Sequence, residues 1–236
     1  MLDKSVPYVG FIMKMRREKL NKLQVPELPD GYYFKFYEPG NENDWARLES
    51  LVDEFPSLEK ALEYFNNEYR NPYSDELRRR CVFVCSADGT PVATATAWFM
   101  SSSLGMKSWL QWISCDTAHQ GKGLGRAVIA KALSCYPDIA PESDVYLHTQ
   151  TWSHTAMYLY WKLGFELFLG DAIKVAWHRE PGFRVMTNDP LKALDTLQGV
   201  YTDELIGKMR QGAEAPTADE LIEHELLSPF PAGYSY

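Results

Sequence analysis

The spacing of apolar positions divides the chain into segments of strand and of helical character. Tyr32–Tyr37 is an aromatic run closed by Pro39-Gly40 and predicts a strand. Asn43 or Asp44 can cap a helix running to about Val52. Ser57 opens a second helix, with Leu58, Ala61, Leu62 and Phe65 on one stripe. From Cys81 the period drops to two, so Val82–Ser86, a turn at Asp88-Gly89, and Val92–Met100 predict a hairpin. Trp109–Cys115 predicts another strand, followed by a glycine-rich turn and an apolar helix, Leu124–Leu133, ended by Pro137 and Pro141. Asp144–Gln150 then predicts a strand and His154–Leu163 a helix stopped by Gly164. Phe165–Leu169 and Ile173–Trp177 predict two further strands.

The order β-α-α-β-β-β-α-β-α-β-β predicts a mixed α/β layer fold over residues 31–180. Residues 1–30 are expected to be an N-terminal arm: a basic patch (Lys14, Arg16, Arg17, Lys19, Lys22) on a solvated helix face, then a linker spaced by Pro26 and Pro29. Residues 181–236 are expected to be a helical extension, with helix starts at Asp189-Pro190, Thr202 and Thr217, serving as a lid or a homodimer contact.

Charge and cysteine usage narrow the function classes. Lys and Arg number 24 against 32 Asp and Glu, a net charge of −8, which gives no global attraction for nucleic-acid phosphates. Such a field favours a cationic acceptor, although acidity is also ordinary for a soluble protein. The four cysteines are too few for a disulfide scaffold, and no His or Cys set completes a metal site, so Cys81 and Cys85 read as core. No apolar run spans a bilayer and the first residues lack signal-peptide character, so a reducing cytoplasm is expected.

The chemistry concentrates in Gln120-Gly121-Lys122-Gly123-Leu124-Gly125-Arg126. Three alternate glycines after a strand, opening a helix, let successive N–H groups point into one cavity beside a positive dipole end. That is a site for a pyrophosphate, with Lys122 and Arg126 adding charge at its rim. A dinucleotide fingerprint from Gly121 needs Gly or Ala where Arg126 stands, and a P-loop needs Lys-Ser or Lys-Thr after the last glycine. Taken alone, the turn could still be a helix cap that binds nothing.

Residues 120–125 resemble the Gln/Arg-x-x-Gly-x-Gly/Ala signature of the GNAT acetyltransferases. Ser153-His-Thr-Ala156-Met-Tyr-Leu159-Tyr160-Trp-Lys162-Leu-Gly164-Phe165 resembles the second signature of that family, with Ser153 where the family usually has Asn. The resemblance covers roughly residues 32–180. It implies a mixed, mostly antiparallel sheet flanked by helices, acetyl-CoA as co-substrate, no metal, and a small-molecule or peptide amine as acceptor. It also implies that residues 120–126 grip the pyrophosphate, that the main chain of Ile113 and Cys115 pairs with pantetheine, and that Ser153, which can cap the helix after it, belongs to the cofactor site.

By the same resemblance Tyr160 donates a proton to the departing sulfur; the plain alternative is a packed aromatic. The strand Ser108–Cys115 carries no carboxylate, which leaves His148 as the candidate base on the next strand, against a structural histidine or proton loss to water. His119 and Asp116 are weaker choices. Acceptor selection is expected from Asp53-Glu54-Phe55-Pro56, the Tyr64–Tyr73 stretch and Gln111. The expected function is N-acetyl transfer. The alternatives are a non-catalytic acyl-CoA-binding module and an interaction protein using its two ends.

Overall fold

The computed structural model describes residues 2–176 and 183–226. Its strands are β1 (Gly10–Met15), β2 (Tyr32–Phe36), β3 (Cys81–Ser86), β4 (Pro91–Ser102) and β5 (Gly105–Cys115), then β6 (Val145–Gln150), β7 (Glu166–Leu167), β8 (Ile173–Ala176) and β9 (Phe183–Met186). The helices are α1 (Arg17–Leu20), α2 (Glu42–Leu51), α3 (Leu58–Phe65), α4 (Asn71–Arg80) and α5 (Leu124–Leu133). After them come α6 (Tyr136–Ile139), α7 (His154–Leu163), α8 (Pro190–Thr196) and α9 (Asp203–Gly212). The architecture is a mixed, mostly antiparallel sheet flanked by helices, as the sequence predicts. Among the described residues no helix is long and apolar enough to cross a membrane.

The chain divides into two compact units, and β4 and β5 each contribute to both. The first holds residues 22–98 and 110–141. In it β2 pairs antiparallel with β3, and β3 with β4 across the predicted turn, where Gly89 takes φ +91°. The Gly89 N–H donates to the Ser86 carbonyl and the Ser86 N–H to the Thr90 carbonyl, so residues 87–89 form the loop, and its last position is the left-handed one that glycine adopts without strain. Cys81 and Cys85 are fully buried on β3. Helix α3 starts as Ser57 predicts, its hydroxyl accepting from the Lys60 N–H at 3.2 Å. Trp45 on α2 centres an aromatic core, with ring centroids 4.8 Å from Phe65 and 5.6 Å from Trp112.

One helical region departs from expectation. A π-helical turn, Asn66–Arg70, follows α3, and α4 follows it with Pro72 in its first turn. Pro72 sits where its missing N–H costs nothing. The π turn leaves the consecutive residues Glu68 and Tyr69 both buried.

The second unit holds residues 2–21, 99–109 and the described residues from 142 onward. Its strand order is β5-β6-β1-β7. β5 and β6 are parallel over Ser108↔Val145 and Trp109↔Tyr146. β1 is antiparallel to β6 from Gly10↔Gln150 to Met15↔Val145, and to β7 on its other side. β8 pairs with Ser102 of β4 and with β9.

The sequence predicted no strand before Tyr32. Gly10–Met15 nevertheless forms a central one, buried along its whole length. Only Arg17–Leu20 of the basic stretch is helical, and Lys14 is 1% exposed rather than solvated. The expected strand Phe165–Leu169 contracts to Glu166–Leu167. Trp177, the expected end of β8, lies outside the described residues. The tail contains β9, which was not expected, and α8 and α9, which were; Thr202 caps α9 by accepting from the Leu205 N–H at 3.3 Å. The helix expected from Thr217 is a short 3-10 turn, Asp219–Leu221.

That turn is held by the buried lysine. Lys14 Nζ lies 2.6 Å from Glu220 Oε1 and 2.9 Å from Asp144 Oδ2. The Tyr146 hydroxyl donates to Glu220, whose Oε2 accepts from the Thr217 N–H at 2.7 Å. Burial works against the ammonium, but its bonds to Glu220 and Asp144 outweigh that and raise its pKa. Burial likewise opposes the Glu220 charge, yet Lys14 and the Thr217 N–H bring that carboxyl down to about 2. Lys14→Met removes the cation and leaves the buried Glu220 carboxylate without its counter-charge, so a loss of about 3–5 kcal/mol is expected in urea unfolding at neutral pH. The folded pKa of Glu220 lies below its unfolded value, so its stabilisation is present at neutral pH and fades as pH falls toward 2. The loss caused by Lys14→Met should therefore shrink in acid; an equal loss at every pH would contradict this account.

Candidate active site

In the first unit β5 ends at Cys115 and hands over to the glycine turn. The Asp116 N–H donates to the Val92 carbonyl at 2.8 Å, and its carboxylate accepts from the Ala118 N–H at 2.9 Å. Arg47 Nη1 lies 3.5 Å from the other carboxylate oxygen, and Arg47 also donates to the Pro91 carbonyl. This fixes the strand end. Gln120 Nε2 donates back to the Cys115 carbonyl at 3.1 Å, so one of the main-chain groups expected to meet pantetheine is held by Gln120.

Gly121 and Gly123 take φ +79° and +81°, and a Cβ at either would meet nothing within 4 Å. These glycines are therefore demanded by backbone conformation rather than by crowding. Gly123 is the N-cap of α5, whose first N–H groups have no partner one turn earlier. Residues 120–123 are exposed while Leu124 is buried, so the turn is anchored from beneath and open above. Arg126 is exposed in the first turn of α5.

Two side chains outside the glycine signature gather at its edge. The Tyr32 hydroxyl on β2 receives a hydrogen bond from Lys122 Nζ at 2.8 Å and lies 2.9 Å from His119 Nδ1. Tyr32 marks no motif, and its place here follows only from sheet pairing. Ile113 is half-buried on β5, as is Cys115, whose thiol burial pushes up to about 11. Cys115 is therefore a thiol, not a thiolate, at neutral pH.

The remaining predicted residues lie in the second unit. His148, on β6, is half-buried opposite Ile12 of β1. Its Nε2 lies 3.1 Å from the Thr187 carbonyl oxygen, which can only accept, so Nε2 carries the proton and Nδ1 the lone pair in the neutral ring. Burial lowers the His148 pKa, only partly offset by that carbonyl. Gly10 faces the ring, and a Cβ there would come within 3.1 Å of Nε2.

Helix α7 runs His154–Leu163 as predicted and ends at Gly164, φ +107°. Ser153 makes no side-chain capping bond, contrary to the sequence expectation. It closes a 3-10 turn, Thr151–Ser153, and its φ of −96° and ψ of 32° depart from the extended backbone of a capping residue. The helix start is instead bound to the N-terminal segment. Trp152 Nε1 donates to the Val6 carbonyl at 2.9 Å, and His154 Nε2 lies 3.1 Å from Asp3 Oδ2. Tyr160 is 5% exposed, its ring edge-on to Phe165 with centroids 6.1 Å apart.

One acid escaped the sequence reading. Glu49 on α2 is fully buried, and neither carboxylate oxygen has a hydrogen-bond partner among the described residues. Burial foremost, then the charge of Glu54, pushes its pKa up to about 8. The signal was present: Trp45, Leu48, Glu49 and Val52 share one helical stripe, with an acid among apolar residues.

Residues 44–165, just over half of the chain, match the model of the acetyltransferase (GNAT) family. No curated protein matches the sequence. Among solved structures, a GCN5-related N-acetyltransferase from Sphaerobacter thermophilus is 20% identical with a TM-score of 0.54, over 69% of this chain and 49% of that one. A tandem GNAT protein from the clavulanic acid biosynthesis pathway is 16% identical with a TM-score of 0.51, over 70% of this chain and 52% of that one. The chain thus spans about half the length of these structural relatives, and at such identities they bear on the fold alone. The family match falls on the glycine turn and on α7, and by it the chain belongs to the GNAT family of acetyltransferases.

Proposed function

We propose that the chain is an N-acetyltransferase, moving the acetyl group of acetyl-CoA to a primary amine by direct attack in a ternary complex. The observation that carries this reading is the turn Gln120–Gly125, exposed over residues 120–123, two of whose glycines take positive φ at the start of a ten-residue helix in a chain of this family. Its N–H groups would hold the pyrophosphate, with Lys122 and Arg126 at the rim. The main chain of Ile113 and Cys115 would track pantetheine, and an N–H there would polarise the thioester carbonyl. The amine nitrogen bonds to the thioester carbon, the C–S bond breaks, and the sulfur leaves with the electron pair.

Tyr160 would protonate that sulfur. A thiolate with a reference pKa near 8.5 can depart unaided, so the proton helps rather than decides. Tyr160→Phe keeps the buried ring and deletes the donor, and should lower turnover by roughly ten- to a thousandfold with little change in acetyl-CoA affinity. Wild-type turnover in the Phe variant would return Tyr160 to the core. The function itself is tested by screening a small-molecule and peptide amine library with acetyl-CoA, read by free-thiol release. Tight acetyl-CoA binding without transfer to any amine would instead indicate a binding module.

A further inference from the structure

We propose that Glu49 is the terminal proton acceptor for the amine, working through the Ser114 hydroxyl on the helix-side face of β5. This rests on the reading of the chain as an N-acetyltransferase.

The argument starts from the stripe on α2. Trp45, Leu48 and Val52 bury their side chains, and Glu49 does the same with a group that water solvates far better. The groups facing it come from three directions. Glu54 follows α2, the Cys81 thiol comes from β3, and the Ser114 hydroxyl comes from β5. None is a cation. The Ser114 hydroxyl is itself buried and closes no well-aligned hydrogen bond, yet it lies near enough to favour the charged carboxylate. Two buried polar groups side by side, both short of partners, form an arrangement that a folded core seldom keeps without a use.

The strand carrying Ser114 is irregular at the same place. Trp112 takes φ +50°, which a bulky residue rarely adopts, and the alternation of β5 breaks there. As a result two consecutive side chains reach the helices. Gln111 accepts a hydrogen bond from the Tyr69 hydroxyl at 2.5 Å, and Trp112 packs 5.0 Å from both Phe55 and Tyr64. Ser114 follows on that face, between Ile113 and Cys115, whose main chain is the proposed track for pantetheine. The strand that would present the thioester thus carries, on its helix side, a hydroxyl beside a fully buried acid.

The proton balance closes. An ammonium proton passes to Ser114 Oγ as the Ser114 hydroxyl proton passes to the Glu49 carboxylate. The amine is left neutral with its lone pair, Ser114 is regenerated, and Glu49 becomes an uncharged acid; the second nitrogen proton, lost after attack, balances the one taken up by the departing sulfur. Buried as it is, Glu49 accepts protons near pH 8, much closer to an ordinary amine than an exposed carboxylate would.

The test uses the full chain, acetyl-CoA, and ethanolamine, putrescine and a lysine-containing peptide as amines. Turnover of the wild type should rise with pH to a midpoint near 8. Glu49→Gln has the same shape and the charge of the protonated acid, so it should fold and bind acetyl-CoA normally. Its kcat should fall by roughly a hundred- to a thousandfold, with the rising limb gone. Ser114→Ala should lower kcat similarly while an infrared protonated-carboxyl band still titrates between about pH 6 and about pH 10, a band that Glu49→Gln lacks. Wild-type kcat and an unchanged limb in Glu49→Gln would overturn the role of Glu49 and leave the acetyltransferase reading standing. No thiol release from the wild type with these amines or with any member of the amine library would overturn that reading, and this proposal with it.

Discussion

A chain lacking residues 2–16 is expected to collect in the insoluble fraction, and any soluble remainder to lack native near-ultraviolet circular dichroism. β1 lies between β6 and β7, and Phe11, Ile12, Met13 and Met15 are fully buried. Burying such side chains contributes roughly 1.5–3 kcal/mol each, so the four together rival the whole stability of an ordinary domain. Deletion also exposes two unpaired strand edges, each a template for association between chains. Ile12→Ala, at the middle of the strand, keeps the backbone pairing and should cost about 2–5 kcal/mol in denaturant unfolding. A soluble, natively folded truncation would show that β6 and β7 can close the sheet without β1.

Gly123→Asp is expected to weaken CoA binding at least a hundredfold by calorimetry, while the melting temperature moves by only a few degrees. The fold should tolerate the change because a Cβ at Gly123 meets nothing within 4 Å, and Asp is among the residues least strained at positive φ. Binding should not tolerate it. The carboxylate would stand at the N-terminus of α5, where the helix offers its donors to a pyrophosphate, and would compete for them and repel the ligand. Gly123→Ala adds the φ strain without the charge and should cost much less affinity. Equal losses in the two variants would assign the effect to backbone strain, and unchanged affinity in Gly123→Asp would move the pyrophosphate elsewhere.

What the sequence made legible was local. The hairpin of β3 and β4, helix α5 and helix α7 announce themselves through period, turn residues and caps that lie within a few positions of one another. The glycine turn was equally plain, since its shape depends on residues that are neighbours in sequence. β1 was hidden for the opposite reason. Gly-Phe-Ile-Met-Lys-Met is buried on both faces, so nothing alternates, and its lysine finds Glu220 only 206 positions along the chain. The basic residues around it then read as a solvated helix. α4 was missed because its sequence, Asn-Pro-Tyr-Ser-Asp-Glu-Leu-Arg-Arg-Arg, offers too few apolar positions to show a stripe. Thr217 looked like a helix start, but Glu220 turns back to its N–H and serves Lys14 and Tyr146 instead. Ser153 fits the capping position by type and fails by backbone angle, which no motif encodes.

The position of β1 also bears on how the chain is made. Val9 is bonded to Thr151, 142 residues later, so the strand beside it must wait for a long stretch of chain before it can pair. Closing a loop of that size forfeits chain entropy before any contact is gained, which slows folding. On the ribosome β2, β3 and β4 can assemble as they emerge, whereas β1 stays an unpaired apolar segment through the intervening time. The second unit should therefore complete its sheet only after β6 and β7 have left the exit tunnel. During that interval Phe11–Met13 is the stretch a holding chaperone would be expected to cover.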